Sequence, residues 1–232
     1  MKTVSISNKI LAACPDLQVA VISACVINSE SNLQLWEEIS AYEAEFRNNF
    51  KIEEINKQAP IRATRLAYKA LGKDPNRYRP SSEALCRRIL RGLPLYKINT
   101  LVDLINLVSL RSGYSIGGFD EDKIQGNLIL GVGEANELYH GIGRGTLNIE
   151  GLPVYRDEIS GIGTPTSDEE RTKIELDTVH LLMIINGYSG NDGLKEAVIF
   201  SIDLLKRYVS AETIECKLIK KGETFDLLLN DD

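Results

Sequence analysis

INTLVDLINLVSLRSGYSIGGFD, residues 98–120, divides at Gly113 into two halves with different periods. In the first half Leu101, Leu104, Ile105 and Val108 recur at three- and four-residue steps, the apolar stripe of a helix that starts near Asn99 and is stopped by Gly113. In the second half Gly117 and Gly118 break that period and open a stretch of short apolar runs. Asn99, Asp103 and Asn106 lie along the helix in otherwise apolar surroundings. Polar groups so placed need partners, so they either brace the fold or line a pocket. The junction also contains Gly113-Tyr-Ser-Ile-Gly117, which satisfies the G-x-S-x-G pattern of a hydrolase nucleophile elbow. An elbow needs a strand before its serine and a helix after it; here the helix comes first and a turn follows, so Ser115 reads as a turn residue.

Upstream, residues 17–27 form a β-branched apolar run expected as a core strand, and residues 31–50 carry Leu35, Ile39, Tyr42 and Phe46 at helical spacing. Further helices are expected from Pro60 to about Leu71 and from the capping residues Pro80-Ser81-Ser82 to Gly92. Downstream, residues 116–163 hold short apolar runs between frequent glycines and read as β-rich with tight turns. A strand over 178–186, a helix over 194–208 and a closing hairpin of 214–219 with 225–229 complete the pattern. Strands and helices are mixed without strict βα alternation, which points to an α+β fold.

The longest apolar run, 179–186, falls far short of the roughly 20 residues that cross a bilayer, and the N-terminus has no signal-peptide core. The expectation is a soluble cytoplasmic protein with no membrane contact. Four scattered cysteines and two histidines offer no ligand spacing, so neither a metal site nor a cofactor is expected. Gly131-Val-Gly133 and Gly141-Ile-Gly143-Arg-Gly145 lack the flanking strand and helix of a dinucleotide loop. Net charge is −6, yet residues 60–100 hold ten basic side chains against Asp74 and Glu83. That segregation suits a phosphate-facing strip on an otherwise acidic protein, or a set of solvated helix faces.

YRPSSEALCRRILRGLPLYKINTLVDLINLVSLRSGYSIGGFDEDKIQG, residues 78–126, resembles the B3/B4 editing domain of the phenylalanyl-tRNA synthetase beta subunit, and more closely the free-standing B3/B4-type proteins. The likeness is carried by Ile98, Asn99, Val102, Asp103 and Asn106, followed at the family's spacing by Gly113, Ile116, Phe119, Asp120 and Lys123. Val154-Tyr-Arg-Asp157 and Ser167-Asp-Glu-Glu-Arg-Thr172 resemble the family's second half. The resemblance implies a β-barrel-like core with surrounding helices over residues 75–232, and a pocket between its two halves. Residues 1–74 are expected as an additional N-terminal α/β portion packed on that core.

In the synthetase this domain hydrolyses tyrosine wrongly attached to phenylalanine tRNA, so the resemblance implies a protein acting at the aminoacyl end of tRNA, hydrolysing mischarged species in trans. Its pocket would be formed by Asn99, Asp103, Gly117, Gly118 and Asp120 with Arg171 and Thr172, and its RNA contacts by Arg77, Arg79, Arg87, Arg88 and Arg91. One departure bears on the chemistry. The synthetase carries a pocket histidine in P-L-H-A-F-D where this chain has Gly117, and a pocket threonine where it has Ile105. No catalytic residue is therefore carried over, and the alternative is a non-catalytic module that binds an amino-acid-like ligand or a protein partner in the same pocket.

Overall fold

A computed structural model describes residues 1–227. Its elements are β1 (Val4–Ile6), α1 (Asn8–Ala13), β2 (Gln18–Cys25), α2 (Leu33–Asn49), α3 (Ala59–Ala70), α4 (Ser81–Leu90), α5 (Thr100–Ser112), β3 (Ile116–Asp120), β4 (Leu128–Val132), the two-residue strands β5 (His140–Gly141) and β6 (Gly145–Thr146), β7 (Pro153–Arg156), β8 (Gly161–Gly163), β9 (His180–Gly187), α6 (Leu194–Val209), β10 (Glu212–Lys220) and β11 (Glu223–Asp226). The hairpin expected at the C-terminus is present as β10 and β11, and positions 228 and 229 lie outside the described residues.

β2 is apolar along nearly its whole length because both its faces are covered. It lies at the centre of a five-stranded sheet of order β11-β10-β2-β9-β3, in which all neighbours run antiparallel. Alternate side chains point to opposite faces of a strand. Ala20, Ile22 and Ala24 of β2, with Leu181, Met183 and Ile185 of β9, pack against the helices; Val19 and Val21, with Leu182 and Ile184, pack against a second sheet of order β1-β4-β7-β8. The result is three layers: helices, a central antiparallel sheet and a smaller mixed sheet. Each fully buried Leu or Ile in these interfaces contributes about 1.5–3 kcal/mol relative to its exposed state.

The α+β class holds, and the barrel expected from the resemblance is corrected. Two open sheets stack face to face, and among the described residues they do not close into one cylinder: β3 and β11 occupy opposite edges of the larger sheet. Residues 1–74 supply β2, the middle strand of that sheet, and β1, which pairs with β4 in the other. The other four strands of that sheet come from the second half of the described chain, β3 from its middle and β9, β10 and β11 from its last third, so the sheet ties distant parts of the sequence together.

α5 is the helix that positions the site. Asn99 accepts the Val102 N–H at 3.0 Å as an N-cap, and Gly113 closes the helix in the left-handed region at φ 76°, its N–H bonded to Ser109 O. Asp103 is fully buried on the side facing α2: Oδ2 accepts from Trp36 Nε1 at 2.7 Å and Ser31 Oγ at 2.5 Å, and Oδ1 accepts from the Ile98 N–H at 3.0 Å. These bonds satisfy the carboxylate and fix α5 against the start of α2.

Candidate functional site

The side of α5 that faces away from Trp36 lines a cavity of about 630 Å3, with Asn99, Val102, Ile105, Asn106 and Ser109 along one wall. Ser81 and Leu85 of α4 close a second side, Ile116 and Gly118 of β3 form the back, and the loop that includes Thr164, Ser167, Asp168 and Lys173 to Leu176 covers the front with Ile142. The lining is mostly apolar with a few polar groups, the usual make-up of a small-molecule site, and its size lies within the usual range for one. No helix among the described residues is long and apolar enough to cross a membrane.

Its deepest chemistry is at Asp168. β3 is an edge strand, so alternate N–H groups point away from β9 and are free of the ladder. The outward N–H of Gly118 donates to Asp168 Oδ2 at 3.1 Å. The residue is half-buried and lines the cavity, while Oδ1 lies close against the Gly117 and Gly163 backbone. Burial pushes its pKa up to about 7, against the lowering effect of the Gly118 N–H. A carboxyl poised there can hold or release a proton at neutral pH.

Glycines make room for this arrangement. A Cβ at Gly117 would lie 2.7 Å from the ring of the fully buried Phe119 and 3.5 Å from Asp168 Oδ1; one at Gly163 would lie 2.5 Å from the same ring and 3.0 Å from Oδ1. Gly117 therefore does not stand in an open place from which a larger residue has been lost. The Phe119 ring fills that space, and a histidine there would need the core rebuilt. Gly118 is different: its Cβ would meet the flexible ends of Ile105 and Ile174, at 2.6 and 3.0 Å, so this glycine sets the depth of the cavity.

Of the residues expected in the pocket, Asn99 and Gly118 line the cavity. Asp103 points into the α2 contact. Asp120 caps the turn after β3, accepting from the Asp122 N–H at 3.2 Å and from Thr178 Oγ1 at 2.9 Å. Arg171 bridges loops, donating to Asp157 Oδ1 at 2.8 Å and Lys123 O at 3.0 Å. Thr172 is fully buried beside it. Gly117 lies behind the wall, against Phe119. Ser115, expected as a turn residue, is fully buried in the link between α5 and β3, with its hydroxyl 3.3 Å from Ser82 Oγ.

Asp168 is the residue that sequence reasoning missed. It sits in Ser167-Asp-Glu-Glu170, three acids in a row with nothing to rank them. Folding separates them: Glu169 accepts the Arg171 N–H at 2.7 Å, Glu170 accepts the Gly143 N–H at 3.1 Å, and only Asp168 of the three lines the cavity. The one available signal was that this segment belongs to the stretch resembling the family's second half.

The basic strip is also sorted by folding. Glu83 is fully buried, and Arg65 and Arg87 each meet it at 2.8 Å, with Arg79 at 4.0 Å. Arg87 also donates to Ile52 O, and Lys73 is buried on Asn148 O and Glu150 O. Arg88 donates to Pro94 O at 2.6 Å and lies over the Tyr96 ring. Arg77, Arg79 and Arg91 remain exposed. About half of the apparent positive patch is thus internal wiring.

The B3/4 domain family matches over residues 63–199. Among solved structures, the crystal structure of an N-terminal fragment of the phenylalanyl-tRNA synthetase beta-subunit from Pyrococcus horikoshii aligns over 97% of this chain with a TM-score of 0.50 and 13% identity. This chain spans 54% of that fragment, and the likeness is one of fold. No curated protein matches the chain.

Proposed function

The chain belongs to the B3/4 domain family, and from that premise we propose that its cavity receives the amino-acid moiety of an aminoacyl-tRNA and that the protein hydrolyses the ester in trans. The observation that carries this reading is a largely apolar cavity with room for an amino-acid moiety and more, and the Asp168 carboxyl held in its wall by a backbone N–H. Ile105, Ile116 and Ile174 offer the walls an amino-acid side chain would fill. In its ionised form Asp168 accepts a proton from water as the water oxygen bonds to the ester carbonyl carbon. The tetrahedral adduct then expels the ribose oxygen, which takes a proton to leave as the hydroxyl, and the free amino acid departs. A carboxyl with a pKa near 7 suits both the uptake and the return of that proton. This assignment places the chemistry at Asp168 and leaves Gly117 and Ile105 as shape.

One observation favours the second reading, a binding module without hydrolysis. Arg87 and Arg88, two of the five arginines expected to contact RNA, have partners inside the protein. A ligand cavity does not need them. Single-turnover deacylation of a panel of correctly and incorrectly charged tRNAs, by the wild-type chain and by Asp168→Asn, separates the readings. Selective loss of one charged species that Asp168→Asn slows at least ~100-fold supports the hydrolase. Background rates across the panel, with amino-acid amides still binding, leave the binding module.

A further inference from the structure

Between α4 and α5 the chain runs without helix or strand through residues 93–99, and its exposed side chains form a consistent surface. Leu93, Tyr96 and Ile98 are exposed by 45, 65 and 56%. Leu95 between them is buried and anchors the segment, as does the bond from the Ile98 N–H to Asp103. At its start the Arg88 guanidinium bonds to Pro94 O and stacks 3.9 Å from the centre of the Tyr96 ring. With one face of that ring covered by the guanidinium and most of the residue exposed, the other face is open to a second planar group. Ile98, at the far end, is already part of the cavity wall, and the half-exposed Leu176 lies on the same wall. Arg91 and Lys97 are exposed along the segment, Lys97 lying over the Trp36 ring.

An exposed aromatic ring backed by a guanidinium, interleaved with cations and leading into a cavity, has the chemistry of a single-stranded nucleic-acid track: bases stack on the ring and phosphates lie against the cations. An apolar protein partner would have no use for the alternation of Arg88, Arg91 and Lys97 with the apolar side chains. We propose that residues 88–98 are the docking strip for the single-stranded 3′ end of a tRNA, with a base stacked on Tyr96 and the terminal nucleoside delivered past Ile98 to the cavity. The inference rests on the reading of the cavity as an aminoacyl site and names how the RNA reaches it. It also gives Arg88 a role that its internal bond does not exclude: the bond to Pro94 O fixes the guanidinium under the ring.

The test is fluorescence anisotropy of the full chain with two labelled RNA hairpins, one blunt and one with a four-nucleotide 3′ overhang ending in adenosine. A parallel titration uses aromatic and aliphatic amino-acid amides as probes of the cavity. The expected result is tighter binding of the overhang RNA, weakened ~10-fold or more by Tyr96→Ala, restored by Tyr96→Phe, and with amide binding unchanged in both variants. Equal affinity for the two RNAs, or an overhang preference that Tyr96→Ala leaves intact, overturns the strip even if the amides bind. Overhang binding that depends on Tyr96 with no amide bound would uphold the strip and refute the aminoacyl reading of the cavity. Absence of any RNA binding overturns the strip and leaves an exposed surface for a protein.

Discussion

Replacing Asp168 by asparagine should stabilise the protein in a way that depends on pH. The buried carboxyl has its pKa raised from 3.8 to about 7, so between those values the folded chain keeps a proton that the unfolded chain has lost. For an acid with a raised folded-state pKa, stability therefore falls as pH rises through that window and levels off above it. Three units at about 1.36 kcal/mol each set a ceiling of ~4 kcal/mol, and solvation through the cavity mouth reduces this to about 2. The asparagine has the same shape and its Oδ1 still accepts the Gly118 N–H, so the comparison isolates the ionisation. Urea unfolding of both proteins at pH 5, 6, 7 and 8, with the slopes compared to exclude changes in the unfolded state, measures the difference. Only the two units from pH 5 to pH 7 fall inside the measured range, so the advantage of Asp168→Asn should grow by about 1–3 kcal/mol from pH 5 to pH 8. A difference that is constant with pH, or that shrinks as pH rises, would refute the reasoning and return Asp168 to an ordinary solvated acid.

Glu83→Ala removes the buried carboxylate shared by Arg65 and Arg87 and should cost about 3–5 kcal/mol in chemical unfolding, because two guanidinium groups lose their counter-charge. A loss below about 1 kcal/mol would show that the cluster is solvated. Gly117→His should destabilise by at least ~1–3 kcal/mol through collision with Phe119 and should not raise deacylation, and a thermal melt matching the wild type would contradict the packing argument. The double variant Arg77→Ala with Arg91→Ala should leave stability unchanged and flatten the dependence of log affinity for tRNA on log salt by about 1.5, whereas Arg87→Ala should act on stability first. An unchanged salt slope would mark Arg77 and Arg91 as mere surface.

Much of the chain's order was legible because local chemistry wrote it. The helix over α5 followed from its stripe, Asn99 and Gly113; β2 was visible as a long β-branched run, and α2 from Leu35, Ile39, Tyr42 and Phe46. Asp103 and Asn106, alike on a helix wheel, could not be told apart, since one binds Trp36 and the other faces the cavity only after α2 and β3 have docked on opposite sides. Whether the sheets close into a barrel depends on which edges pair, a long-range matter on which the period of each strand is silent. Charge was read least well, because a count of arginines does not reveal that a single buried Glu83 gathers three of them. Asp168 marks the same limit at the site: two further acids follow it in sequence, its raised pKa comes from the packing around it, and the Gly118 N–H that partly offsets the shift lies fifty residues earlier. Sequence by itself determined most of the helices, the central strand and the family; tertiary structure alone decided which polar side chains brace the fold and which line the cavity, because burial and partners are properties of the assembled layers.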